Sequence, residues 1–281
     1  MTTGELLRSA WQPAPVAASV GIAALVLYGW RFRWRLTGRA GLLRSCAFVA
    51  AVALFWLALA SPVAVLARGY LFSAHMLQHL ILLLAVPTLV LLGLPGSAAA
   101  GASHERRPAR PRSGSSRSLG PWLAGVGAMW LWHERSLCNL AALRPGVQAL
   151  QTASLLAAGL VFWWPILRPR LRARLAPFPS VLYLFSACLA CSVLGILITF
   201  SPIEVCSVYA HPVDRLGVLP LLRQGWGLTP AVDQQVGGLM MWVPACLIYA
   251  GAILAVLARH YREEGTPSLA PAESRALAEV K

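Results

Sequence analysis

Charge is scarce in this chain of 281 residues. Asp, Glu, Lys and Arg together make up 12% of it, while hydrophobic residues make up 58%. Ordinary soluble domains carry about a quarter charged residues, so a water-facing globule is excluded. Carboxylates are the scarcest, 10 against 24 basic residues. None of them clusters within an apolar stretch, which removes hard-cation sites built from grouped carboxylates. Alternation with period two is missing as well, and this disfavours a transmembrane barrel. Gly 23 and Pro 20 do not make a collagen-like chain, and the apolar content excludes disorder. No cleavable leader stands out. The first apolar stretch lacks a basic segment ahead of it and is followed by heavier charge, as in a retained anchor.

What is there is a set of seven apolar stretches: Pro13–Trp30, Leu42–Ala60, Leu71–Leu94, Leu119–Trp132, Val147–Leu167, Pro179–Phe200 and Val236–Ala258. A bilayer core needs about 20 helical residues, and backbone groups in lipid must bond internally. The expectation is therefore an all-α, polytopic membrane protein, a seven-helix transmembrane bundle over residues 1–262. The fourth stretch is short, and Ser136–Leu143 reads as its half-buried continuation or as an interfacial helix. Residues 95–118 read as a flexible cytoplasmic loop and 263–281 as a polar tail.

Basic residues sort to one side: 18 of the 24 fall in the first, third and fifth connections and the tail, whereas carboxylates split five and five. The positive-inside rule then places the N-terminus outside and the C-terminus in the cytoplasm. The formal charge of +14 is thus topological, and no nucleic-acid partner is expected. Trp30, Trp34, Trp122, Trp163, Trp164 and Trp242 fall at span ends, where indoles favour the headgroup zone.

Metal-capable residues collect at the expected outer side. The third stretch begins with His75-Met76-Leu77-Gln78-His79, and its two histidines, four apart, share a helical face. Met129 and His133 are likewise four apart at the end of the fourth, and Met240-Met241 opens the seventh after Asp233-Gln234-Gln235. His211 is also expected outside, whereas His104 and His260 are expected on the cytoplasmic side as solvated residues. Imidazole with thioether suits copper, Met and Cys favouring Cu(I). A zinc protease would need Glu directly after the first His of its pair, and Met76 stands there. The candidate ligands are His75, Met76, His79, Met129, His133, Met240 and Met241, supported by Gln78, Asp233, Gln234 and Gln235. Bland readings stand beside these: an interfacial His133, core-filling methionines, and Asp233 capping the seventh helix.

Cysteines are few and lack the spacing of a closed zinc site. Cys188 and Cys191 share a face in the middle of the sixth stretch, either as a packing stripe with Ser192, Gly195 and Thr199 or as a thiol relay for Cu(I). Cys138 and Cys206, both expected outside, suit a disulfide or thiolate ligation. Cys46 and Cys246 read as packing residues.

Several of these strings together resemble one family. Ser73-Ala74-His75-Met76-Leu77-Gln78-His79, Trp130-Leu131-Trp132-His133, Gly159-Leu160-Val161-Phe162-Trp163-Trp164-Pro165, and the run from Asp233 to Pro244 resemble, in the same order, the integral-membrane CtaG family of bacterial heme–copper oxidase assembly factors. The resemblance runs from about Phe72 to Ala258. It implies seven helices in the bacterial plasma membrane and a role in maturing cytochrome c oxidase, with copper handling as its chemistry. Two histidines of the family pattern, at the outer start of the fifth span, correspond here to Gln148 and Thr152. Arg135 and Cys138 stand in place of a Pro and a Tyr, and Cys206 in place of a Tyr. A site with fewer imidazoles and more thiols is either retuned toward Cu(I) or degenerate.

The leading expectation is a non-enzymatic assembly factor that holds copper at the outer leaflet for oxidase subunits or other assembly factors. A b-type cytochrome or quinone-linked redox protein with His79 and His133 on a haem is the second. A copper permease ranks last, because no charged residue lies deep in a span.

Overall fold

A computed structural model describes residues 2–33, 37–95, 115–167 and 175–264. The expected loop and tail fall largely outside these residues, as do His104, Trp34 and the arginines of the fifth connection. Every regular element among the described residues is helical. They are α1 (Thr3–Ser9), α2 (Pro15–Phe32), α3 (Gly38–Ala60), α4 (Pro62–Ala67), α5 (Phe72–Leu80), α6 (Val86–Gly93), α7 (Ser115–Trp132), α8 (Arg135–Leu143), α9 (Pro145–Leu167), α10 (Pro177–Phe200), α11 (Ser207–Ala210) and α12 (Pro230–Glu264). Single π-helical turns, Ile81–Ala85 and Leu221–Gly225, complete the set.

Six helices are long and apolar enough to cross a membrane, counting α5 through α6 as one. The expected fourth span is α7, an 18-residue helix. At 1.5 Å per residue it is about 27 Å long, just short of a 30 Å hydrocarbon core. Its first turn, Ser-Ser-Arg-Ser, dilutes its apolar character, and it is not among the six. The expected half-buried extension after it is a separate element. Glu134 interrupts the helix and caps α8 by accepting from the Leu137 amide at 3.0 Å. Only Cys138 and Ala141 of α8 face fully inward.

The third span is continuous but not uniform. Pro87 has no amide proton for the Leu83 carbonyl four residues back. Just ahead of it the chain widens into the π turn, where the Val86 amide reaches Ile81 instead. The Thr88 hydroxyl covers the Leu84 carbonyl at 2.6 Å. Gly159 of α9 packs against the exposed Leu83 carbonyl and the Pro87 ring, leaving no room for a Cβ.

Helix α12 is the longest element, 35 residues, beginning six residues before the expected seventh span. It packs along α10 through facing glycines. A Cβ on Gly195 would lie 2.8 Å from that of Trp242 and 2.9 Å from the Gly238 carbonyl. At the other side, Tyr28 of α2 stacks on Phe48 of α3 with ring centroids 4.1 Å apart and donates to the Gly93 carbonyl at 2.8 Å. Trp163 is not turned outward: it is buried against Tyr249, centroids 5.9 Å apart. It faces the bundle because Phe162 and Trp163 occupy the side of α9 turned toward α10 and α12.

Candidate functional site

Helix α5 starts without a capping side chain of its own, since its N-cap position is Leu71. The cap comes from α12. The Asp233 carboxylate accepts from the Phe72 amide at 2.7 Å, the Ser73 amide at 3.0 Å and the Ser73 hydroxyl at 2.6 Å. This corrects the expectation that Asp233 caps its own helix. Because α12 begins early, Asp233 lies one turn inside it and its carboxylate turns to the free amides of the neighbour, where negative charge also meets the helix dipole. The short approach needed is permitted by Gly237, whose Cβ would lie 2.5 Å from the Phe72 ring.

Two turns of α5 then carry His75 and His79 into the protein. Both are buried, with ring centroids 4.2 Å apart. His133, at the end of α7, meets them: its ring is edge-on to His79 at 5.2 Å, and its Nε2 lies 3.1 Å from the Met76 sulfur. The other ring nitrogen, Nδ1, is 2.5 Å from the Met129 carbonyl. That bond makes Nδ1 the protonated nitrogen and leaves the Nε2 lone pair toward Met76. None of the four nitrogens of His75 and His79 has a hydrogen-bond partner among the described residues. The Ala67 carbonyl lies toward His75 and the Gln151 amide toward His79, but neither completes a bond. The Ala67 carbonyl is already taken by the Tyr209 hydroxyl at 2.8 Å.

A cavity opens beneath the histidines, lined among others by Met76, His79, Met129, His133, Cys191, Met241 and Tyr249. Its free space, about 20 Å³, suffices for roughly one water-sized sphere. Three thioethers, two imidazoles and a thiol therefore share one small compartment, drawn from α5, α7, α10 and α12. Among the described residues no group of three His, Cys, Asp or Glu is arranged to hold a metal ion.

Above His75 sits Tyr209 of α11, with centroids 5.4 Å apart. Burial, and next the Asp233 carboxylate, pushes its hydroxyl well above the ordinary tyrosine range, so it stays a donor. A disulfide between Cys138 and Cys206, Cα atoms 5.9 Å apart, ties α8 to the segment carrying Tyr209. Asn139 adds to the tie, accepting from the Ser207 hydroxyl at 3.1 Å and the Val208 amide at 3.2 Å. Of the two expectations for these cysteines, the disulfide is the one present, and its sulfurs are not available as ligands.

Other expected residues fall elsewhere. Met240 is half-buried one position off the cavity face, and Gln235 is exposed. Gln78 is buried but donates to the Ala58 carbonyl at 2.7 Å, fastening α5 to α3. Gln234 accepts from the Val205 amide at 2.9 Å and so holds the connection after α10. His211 is exposed, 3.6 Å from Glu204. Gln148 and Thr152 are half-buried; of the three residues between them, Gln151 is the buried one. The sequence offered one signal for it, a polar side chain one helical turn before Leu155 and two before Ala158 on the buried face of α9.

The model of the family described as cytochrome c oxidase caa3 assembly factor, Caa3_CtaG, matches residues 24–263. The chain belongs to that family. No curated protein and no solved structure matches it. As a Caa3_CtaG protein it is an assembly factor of cytochrome c oxidase. The matched region contains every residue of the cavity, whereas α1 lies outside it.

Proposed function

We propose that this protein holds Cu(I) as cargo for the assembly of a cytochrome c oxidase in the bacterial plasma membrane, in a non-catalytic role. The supporting observation is the set of four unpartnered ring nitrogens on His75 and His79, buried beside three thioethers. A buried polar atom without a partner costs about 1–3 kcal/mol, and such atoms are rare unless something completes them. A soft monovalent cation would take the one lone-pair nitrogen of each ring, and the donor set, imidazole and thioether with no carboxylate, matches Cu(I).

Each residue then has a task. His75 and His79 offer lone pairs from consecutive turns of one helix, His133 offers Nε2 because Met129 fixes its tautomer, and Met76, Met129 and Met241 supply thioethers. Asp233 holds the start of α5 in register, and Tyr209 covers the histidines from the side of the disulfide. That disulfide supports an outward orientation of this end, as the arginine distribution does. Copper would pass to oxidase subunits or to other assembly factors.

The haem reading draws no support from the packing, since about 20 Å³ between His79 and His133 has no room for a macrocycle. The test is a Cu(I) titration of the reduced, purified protein against a competing chelator. His75→Ala with His79→Ala should lower the affinity at least tenfold; an unchanged affinity and stoichiometry would remove the proposal.

A further inference from the structure

We infer that Cys188 and Cys246, adjoined by Cys191, form a second Cu(I) site, deeper in the bundle than the histidine cavity and continuous with it. This rests on the copper reading above. Cys188 is the twelfth of the 24 residues of α10, midway along the helix. Cys246 comes from the facing helix α12, and the two sulfurs are 3.0 Å apart. Ser192 places its hydroxyl 3.1 Å from the Cys246 sulfur while donating to the Cys188 carbonyl at 2.9 Å. Cys191 is buried, lies 3.1 Å from the Met241 carbonyl and lines the cavity. Two free cysteines therefore meet between facing helices, and Cys191, one helical turn along α10 from Cys188, is on the wall of the cavity.

A packing stripe explains small residues, but alanine or serine would serve it equally, and it gives no reason for thiols from two helices to converge. Charge balance gives one. Imidazole and thioether are neutral, so Cu(I) held by them alone is a buried, uncompensated cation, a costly state in apolar surroundings. A cysteine that releases its proton supplies one negative charge. Cu(I) meeting the Cys188–Cys246 pair would displace one proton and leave a neutral thiolate–Cu(I)–thiol unit, with no electron transferred. Thiolate is also the softest donor available, so affinity rises from the cavity inward, with Cys191 as the bridging position.

The full-length protein in detergent, with its Cys138–Cys206 disulfide intact and copper kept as Cu(I) under anaerobic conditions, is titrated with Cu(I) against a chromophoric chelator while thiolate-to-copper absorption in the ultraviolet is followed. Two equivalents are expected for the unaltered chain. Cys188→Ser with Cys246→Ser should remove one equivalent and the absorption band, and should keep the equivalent that His75→Ala with His79→Ala removes. The histidine variant should keep the band. Two equivalents and an intact band in the serine variant would overturn the second site. A histidine variant that keeps both equivalents, while the serine variant loses its own, would instead overturn the cavity and leave the thiol site standing. If the serine variant does not fold, peptide mapping of the unaltered protein decides. Bound Cu(I) should protect Cys188 and Cys246 from alkylation while the exposed Cys46 still reacts, and equal labelling with and without copper would overturn the site.

Discussion

Replacing Asp233 by alanine strips a partner from two amides and a hydroxyl at the start of α5, all of them buried. Charge-assisted bonds of this kind make the expected loss about 2–4 kcal/mol, visible as a lower melting temperature in detergent. Asp233→Asn keeps one acceptor oxygen and should lose less. Copper affinity should fall in the alanine variant, because His75 stands only two residues past Ser73. The matching control is His211→Ala, which removes an exposed side chain and should leave both melting and copper binding unchanged. The histidines and methionines of the cavity were legible from sequence because their four-residue spacing fixes a shared face. The role of Asp233 was not, since its partners stand some 160 positions away and a chain read locally shows only local caps. Gln151 was hidden for a related reason: attention falls on ligand types, and an amide declares itself only through what it faces.

Among elements, α10 and α12 approach each other closely at Gly195 and Gly238. Gly195→Ala places a methyl group against Trp242 and the Gly238 carbonyl. Overpacking of this size costs about 1–3 kcal/mol. Since Cys188, Cys191 and Met241 ride on the same two helices, copper stoichiometry should drop along with stability, measured on the same preparation. A pH effect belongs to α8. Glu134 is held below its ordinary carboxylate value of 4.5, chiefly by the Ser136 amide and then by that of Leu137. A depressed value means that the cap acts fully above pH 4.5 and weakens as acid protonates the carboxylate. Protection of the Ser136 and Leu137 amides, measured against their intrinsic exchange rates, should therefore fall as acid protonates Glu134, while Glu134→Gln should show the lower protection already at neutral pH. Most helices were foreseeable from apolar runs, with ends displaced by a few residues. The break between α7 and α8 was left open, because helix propensity alone cannot say where a polar Glu134 turns the chain. The π turn was not foreseen; Pro87 announces a missing bond but not how the backbone repairs it.

At the scale of the molecule, orientation is the property that sequence carries best and geometry least, since the basic residues that decide it lie largely beyond the described helices. A periplasmic reporter inserted after His211 should be active and a fluorescent reporter fused to the C-terminus should glow; the reverse pattern would invert the assignment and put the cavity on the wrong side for its proposed task. The Cys138–Cys206 bond should form in cells only if that end faces an oxidising compartment. Reducing it should lower the melting temperature by an amount equivalent to about 2–4 kcal/mol, with Cys138→Ser giving the same value and no further response to reductant.

The clasp between Asp233 and the start of α5 also sets a timetable. Ribosomes add roughly 5–20 residues per second, so the histidine-bearing helix waits about 8–30 s, unfastened, before the residue that secures it has been made. Cargo arriving during that interval would meet imidazoles not yet in position. On the copper proposal, loading would wait until the final helix has been translated, and a chain truncated before it should leave the ribosome unable to keep copper.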